Sequence, residues 1–223
     1  MTGYYEENLS ADKLRRCYDI ADERIRQYLQ TEINFLLEQV AAGDAVLELG
    51  CGYGRALEFI AQKTENACGI DTSFTSLKSA KQYLTRYPTT QLILSDASAL
   101  SIADNTFDIV ASIQNGLSAF HKDRLTVVRE SLRVLRPGGR LIMSSYADKF
   151  WPHRLRWFEA QSREGLLGEI DYNRTGNGKI ICKDGFRADT ITPQEFSSLA
   201  ESMSRNPDII EVDESSLFCI LTK

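Results

Sequence analysis

A chain of 223 residues that is 43% hydrophobic and 26% charged, with only 5 prolines, can bury one large core and lacks the bias of a disordered, collagen-like or low-complexity protein. Its 31 acidic against 26 basic residues leave a net charge of -5, which disfavours a polyanion, so no nucleic-acid partner is expected. No apolar run reaches the roughly 18 residues of a membrane helix and the start, Met1-Thr2-Gly3-Tyr4-Tyr5, lacks a secretion-signal layout, so a cytosolic protein with no membrane partner is expected.

In chain order, residues 1–42 read as helical. From Ser10, the residues Leu14, Tyr18, Ile25, Tyr28, Leu29, Ile33, Leu36, Leu37 and Val40 recur at spacings near three and four, while Asp12, Glu23 and Glu32 fill the other face and Gly43 supplies a stop. The period changes at Asp44. Short apolar runs at 45–49, 67–70, 91–94, 107–113 and 140–144 alternate with amphipathic stretches at 55–63, 73–87 and 122–135. Buried strands alternating with helices predict a doubly wound α/β domain with a mostly parallel sheet.

Residues 146–190 break this rhythm, with a Trp- and Arg-rich helix over 151–164 and a stretch punctuated by Gly176, Gly178 and Gly185. An insertion after a strand's carboxyl end lies over the mouth of an α/β sheet, which predicts a lid. The tail predicts a helix over 193–203, with Thr192 as N-cap, Pro193 in the first turn and Glu195 three residues after the cap. An antiparallel hairpin of 209–212 and 217–221 then closes the sheet. With no repeat and no linker, 1–223 reads as one domain, with 1–42 as its N-terminal cap.

The motif with most chemistry is Val46-Leu47-Glu48-Leu49-Gly50-Cys51-Gly52-Tyr53-Gly54-Arg55, a buried strand that breaks into a glycine-rich turn opening a helix. Such a turn admits a ligand to the main chain and offers free helix N–H groups. Asp71, 21 residues after Gly50, ends the second strand, where a carboxylate can accept both hydrogen bonds of a ribose diol; Asp96 ends the third and can accept from an exocyclic amine. A nicotinamide GxGxxG pattern counted from Gly50 would require glycine where Arg55 stands.

In these motifs the sequence resembles the class I S-adenosylmethionine-dependent methyltransferases. Glu48 to Gly54 resembles their glycine-rich first motif, Asp71 the ribose-holding acid and Asp96-Ala97 the adenine contact. Phe107-Asp108-Ile109-Val110 with Gln114-Asn115 resembles the fourth-strand motif, and Leu135-Arg136-Pro137-Gly138-Gly139-Arg140-Leu141 the turn before strand five. The likeness covers about 40–145 and the closing hairpin. It implies a Rossmann-like seven-stranded sheet and the cofactor S-adenosyl-L-methionine, leaving S-adenosyl-L-homocysteine as product. The implied cofactor residues are Glu48, Gly50, Cys51, Gly52, Tyr53, Gly54, Asp71, Thr72, Asp96, Ala97 and Gln114. An aromatic ring would favour the sulfonium charge, and Tyr4, Tyr5, Tyr18 and Tyr53 are candidates.

The acceptor is less legible. Base-modifying relatives carry an Asn/Asp-Pro-Pro-aromatic motif after the fourth strand, whereas this chain reads Gln114-Asn115-Gly116-Leu117-Ser118, so the resemblance is to the small-molecule branch, with a methyl acceptor atom of N, O or S. Catalysis is expected to rest on positioning, with Asn115 as a polar orienting group; if a base is used, His121 and His153 are the first candidates, with Tyr146 and Tyr172 behind them. His121 stands at a helix start, where a solvated or capping role is expected. Arg154, Arg156, Arg163, Arg174 and Arg187 are offset by Asp148, Glu159, Glu164, Glu169, Asp171, Asp184 and Asp189, which predicts a solvated, salt-bridged surface. The five cysteines at 17, 51, 68, 182 and 219 form no CxxC pair, so neither a metal site nor a disulfide framework is expected; only Cys17 and Cys182 lie where soft-acceptor chemistry would be conceivable. A non-catalytic cofactor-binding regulator or scaffold of the same fold is the alternative, and monomer and homodimer both stay open.

Overall fold

The computed structural model describes residue 4 and residues 12–223; the rest of the N-terminal cap, Tyr5 included, lies outside the described residues. Two helices precede the sheet: α1 (Asp12–Asp19) and α2 (Glu23–Gln39). The break between them is chemical, since Asp22 turns to extended backbone and its carboxylate accepts the Ile25 N–H at 2.9 Å, satisfying a free helix donor. The helix then stops at Val40, also extended, before Gly43 is reached.

Seven strands form one sheet: β1 (Val46–Leu49), β2 (Ala67–Asp71), β3 (Gln91–Leu94), β4 (Phe107–Ser112), β5 (Leu135–Tyr146), β8 (Asp208–Val212) and β9 (Ser216–Thr222), in the order β3-β2-β1-β4-β5-β9-β8. Pairing is parallel from β3 to β5. Strand β9 runs antiparallel to β5, from Arg140 opposite Thr222 to Tyr146 opposite Ser216, and β8 returns antiparallel to β9. The doubly wound α/β expectation and its closing hairpin therefore hold.

The helices α3 (Arg55–Lys63), α4 (Phe74–Tyr83), α5 (Gly116–Ala119), α6 (Arg124–Val134) and α8 (Pro193–Ser202) surround the sheet. Successive strand residues point to opposite faces, and each face has its own core. Leu47, Val110 and Leu141 pack with Phe196 on one side; Val46, Ile109 and Ile142 pack with Leu57 and Phe218 on the other.

The insertion contains a 3-10 turn (Asp148–Phe150), helix α7 (Trp151–Arg163) and a two-stranded hairpin of β6 (Lys179–Ile181) and β7 (Arg187–Asp189). The hairpin was not expected, because three-residue strands between glycines carry too little alternation to show. A third core of Tyr28, Tyr146, Phe150, Trp157, Phe158 and Phe186 joins this insertion to α1 and α2. Arg154 corrects another expectation: far from lying on a solvated surface, it is fully buried. Its guanidinium donates to Gly178 O at 2.9 Å, Thr190 Oγ1 at 2.6 Å and Ala188 O at 2.8 Å, and it lies 4.2 Å from the Tyr146 ring centre. Among the described residues no helix is long and apolar enough to cross a membrane.

Candidate active site

Strand order reverses between β1 and β4, and a doubly wound sheet opens a crevice at the carboxyl ends of its strands at such a point. A cleft of about 1160 Å³ lies there. Its floor is the turn after β1, where Gly52 has φ +54 and a Cβ would stand 3.0 Å from Leu14 Cδ2; at Gly50, φ +72, a Cβ would be 2.7 Å from the Phe120 ring. Glycine is needed at both places for backbone angle and for room.

Asp71 ties this turn to the end of β2. Its carboxylate accepts the Gly52 N–H at 2.9 Å and the Ser73 N–H at 2.8 Å. A carboxylate has about four lone-pair sites, so holding the loop is compatible with accepting from a diol as well. Glu48, inside β1, is buried. Desolvation pushes its carboxyl up to about 7, Asp71 adds to that, and the Arg55 guanidinium opposes it. Its Oε2 has no hydrogen-bond partner among the described residues.

Asp96 faces a partner that the sequence reading did not identify: Lys122 Nζ reaches its Oδ2 at 2.7 Å. The Ser98 N–H and hydroxyl donate to Oδ1 at 2.8 and 2.7 Å. Burial opposes its ionisation, but these donors outweigh burial and hold the carboxyl below the usual range. Arg55 is a second unanticipated neighbour, with its guanidinium 4.4 Å from the Tyr18 ring centre.

The structure brings Tyr18, Glu48, Gly50, Cys51, Gly52, Tyr53, Asp71, Thr72, Asp96, Ala97 and Gln114 to this one cleft, with Tyr4 on its wall. Gly54 caps α3 in left-handed backbone and is not among the residues that line the cleft. The three residues read as catalytic do not line it. Asn115 is buried, and its side chain is used at both ends: Nδ2 donates to Asp189 O at 2.9 Å and Oδ1 accepts the Ser145 hydroxyl at 2.9 Å. His153 stacks on Phe150 and contacts Arg156. Tyr146 belongs to the aromatic core and borders a separate cavity of about 60 Å³. Tyr172, held behind these as a further base, is exposed and bonds Glu159.

His121 lines the cleft and is exposed, and the cap of α6 is Asp123, whose carboxylate accepts the Thr126 N–H at 3.1 Å; of the solvated or capping role expected of His121, the capping half does not hold. Glu32 is a second correction. It is not solvated but fully buried, accepting the Gln114 N–H and the Ser144 hydroxyl. Its spacing of three from Leu29 and four from Tyr28 places it on the apolar face, a signal present in the sequence. All five cysteines are buried thiols, and the described residues hold no cluster of three or more metal-ligating side chains.

Comparison with known proteins follows the same lines. The family model described as a methyltransferase domain matches residues 47–143. The 2-methyl-6-phytyl-1,4-hydroquinone methyltransferase of Synechocystis sp. is 30% identical over 133 residues, covering 56% of this chain and 41% of that protein. The demethylmenaquinone methyltransferase of Renibacterium salmoninarum is 34% identical over 167 residues, covering 74% and 61%. The chain spans about half the length of the curated relatives it matches. Among solved structures, the N-methyltransferase NodS of Bradyrhizobium japonicum in complex with S-adenosyl-L-homocysteine superposes with a TM-score of 0.61 at 21% identity, over 98% of this chain and 95% of that one. The strand order, the glycine turn with its two strand-end carboxylates and these relatives agree, and over residues 47–143 the chain matches the methyltransferase-domain family.

Proposed function

We propose that the protein transfers the methyl group of S-adenosyl-L-methionine to a small-molecule acceptor and releases S-adenosyl-L-homocysteine. The observation that carries this reading is the convergence of the Gly50 to Tyr53 turn, Asp71 and Asp96 on one cleft. Its volume, about 1160 Å³, exceeds the roughly 300 to 1,000 Å³ of a typical ligand site, which leaves room for a nucleoside cofactor and an acceptor together.

The residues present fit the cofactor. Gly52 leaves a cradle that a Cβ would fill, and Glu48, which lines the cleft, has a buried carboxylate oxygen without a hydrogen-bond partner among the described residues. On this reading the glycine turn takes the amino-acid end, Asp71 the ribose, Asp96 and Ala97 the base, and Tyr18 and Tyr53 the cationic end. When bound, the cofactor supplies an activated methyl carbon, so the chain's main task is to align the acceptor and exclude water. Residues 12–42 and 146–190 serve as the cover. A cytosolic setting and a partner list limited to the small acceptor belong to the same reading, supported by the acidic charge balance and by relatives named for quinone and hydroquinone substrates.

Calorimetry with S-adenosylmethionine, S-adenosylhomocysteine and NAD, followed by product detection on a phenol and amine panel, tests the proposal. The first two should bind and NAD should not. Absence of S-adenosylmethionine binding would overturn it, and binding without turnover on any acceptor would favour the regulator or scaffold reading.

A further inference from the structure

Among the described residues, two ion pairs have both partners in the cleft lining: Arg187–Asp189, within β7, and Lys122–Asp96, which joins separate segments. Asp96 follows β3, whereas Lys122 lies between α5 and α6, after β4. In the sheet β2 and β1 stand between β3 and β4, so the pair ties together two walls that the strand ladder does not join directly. The segment that carries Lys122 is held on both sides. The Phe120 ring lies where a Cβ on Gly50 would be 2.7 Å from it, and the Asp123 carboxylate accepts the Thr126 N–H at 3.1 Å and hydroxyl at 2.6 Å. Between them His121 has φ +51, a left-handed conformation that persists only where its surroundings hold it.

The Lys122 and Asp96 side chains are 42% and 34% exposed. An ion pair this open to water adds little to stability, so its consequence lies in what it presents to the cleft. Asp96 Oδ1 accepts the Ser98 N–H at 2.8 Å and the Ser98 hydroxyl at 2.7 Å, while Oδ2 accepts Lys122 Nζ at 2.7 Å. A carboxylate has about four lone-pair sites. Three are taken, and the fourth is on Oδ2, beside the ammonium. Lysine has three donors, and the Asp96 contact uses one. The wall therefore offers a charged acceptor and a charged donor side by side, at a spacing fixed by their own contact.

We propose that Lys122 completes the recognition of the cofactor's base: Asp96 Oδ2 accepts from the exocyclic amine of adenine while Lys122 Nζ donates to a ring nitrogen next to that amine. This rests on the methyl-transfer reading above, which gives Asp96 to the base. Adenine suits such a wall because its amine, a donor, is flanked by the acceptors N1 and N7. Hypoxanthine carries an oxygen in place of the amine, and that oxygen would set its lone pairs against the carboxylate. A site built around a donor rejects an analogue that lacks it more strongly than an apolar pocket rejects a change of size. Lys122 is thus a specificity-determining residue for the nucleoside, and its segment is drawn to the base as well as to Asp96.

Calorimetry on the whole chain with four ligands tests the proposal: S-adenosylhomocysteine, its 1-deaza and 7-deaza analogues, each with one ring nitrogen replaced by carbon, and S-inosylhomocysteine. Lys122→Met should weaken S-adenosylhomocysteine by about three- to tenfold and leave the melting temperature of the free protein unchanged. One of the two deaza analogues should bind the wild type with a similar loss and be indifferent to Lys122→Met, because its contacted nitrogen is already gone; the other should respond in full. Lys122→Arg, which keeps charge and donors, should recover most of the affinity. S-inosylhomocysteine should bind the wild type at least about tenfold more weakly than S-adenosylhomocysteine.

An equal loss for all ligands in Lys122→Met overturns the contact with the ring nitrogen, since a lysine that merely holds Asp96 or the loop would act on every base alike. Unchanged or tighter binding in that variant overturns the proposal outright and makes the lysine a plug that the base displaces. Equal affinity of the wild type for the adenine and hypoxanthine ligands removes the amine from the reading. If the wild type binds none of the four, the methyl-transfer reading fails first.

Discussion

Glu32 and Ser144 meet across 112 positions of sequence, the serine hydroxyl donating to Glu32 Oε2 at 2.7 Å. The same oxygen accepts the Gln114 N–H. A single carboxylate from α2 therefore fastens the N-terminal helices to β5 and to the segment just after β4, where Gln114 and Asn115 both have positive φ. The helices that carry Tyr18 are thus located by a buried polar clasp as well as by the aromatic core.

This clasp makes stability depend on pH. Desolvation pushes Glu32 up to about 7, against hydrogen bonds from Ser144 and Gln114 that lower it. A folded value above the unfolded 4.5 means the native state binds the proton better. The contribution is complete below about 4.5 and is lost as pH rises through 7, amounting to on the order of 3 kcal/mol. Glu48 shifts in the same direction. Urea unfolding should show lower stability at pH 8 than at pH 5.5, and Glu32→Gln should remove much of the slope; an equal slope in that variant would refute the assignment.

Asp71 should matter for binding more than for folding. Asp71→Ala removes the acceptor of the Gly52 and Ser73 N–H groups and, on the proposed reading, the partner of the ribose. Affinity for S-adenosylhomocysteine should fall by about 1 to 3 kcal/mol. Gly52→Val, which needs φ +54 and space held by Leu14, should abolish it. Calorimetry showing unchanged affinity in Asp71→Ala would remove the ribose assignment.

Arg154 should matter for folding more than for binding. Arg154→Met keeps the apolar stem but removes the guanidinium donors to Ala188 O and Thr190 Oγ1, while Gly178 O keeps the Thr190 N–H and hydroxyl. Losing these charge-assisted hydrogen bonds to buried neutral acceptors costs about 1.5 to 3 kcal/mol. Hydrogen exchange should accelerate over 179–189 in the variant. Unchanged exchange there would mean that the β6–β7 hairpin stands without the arginine.

These residues also show where sequence reasoning stops. The turn at Gly50 was legible because a strand cannot continue through three glycines in five residues, and the Thr192 cap because its box needs only Glu195 three positions on, a geometry the structure contains in full. Asp71 and Asp96 could be placed because strand ends are local. Arg154 could not, since its partners lie in a hairpin of three-residue strands and a charge count treats every arginine alike. Lys122 opposite Asp96 depends on how distant segments fold together across the cleft, and no spacing along the chain encodes that. Asn115 misled for the opposite reason: its place after β4 was right, but its amide is consumed by Ser145 and Asp189.

The last prediction concerns Glu48 and the charge of the cofactor. S-adenosylmethionine carries a sulfonium that S-adenosylhomocysteine lacks, so the ratio of their affinities isolates the response to that one charge and cancels what the two share. Glu48 lines the cleft with an unmatched oxygen and a carboxyl held near 7, raised by burial and Asp71 and lowered by Arg55. Below that value it is neutral and indifferent to the sulfonium; above it, the carboxylate attracts it. Preference for S-adenosylmethionine should therefore grow between pH 6 and pH 8, by roughly three- to fivefold if the interaction is worth about 1 kcal/mol or slightly more. Glu48→Gln should flatten the ratio. Arg55→Gln removes a competing positive charge that also lies over Tyr18, and should shift the rise to higher pH because it no longer stabilises the carboxylate. A ratio independent of pH in the wild type would show that the sulfonium lies beyond the reach of Glu48, and the cationic end of the site would then rest on Tyr18 and Tyr53 alone.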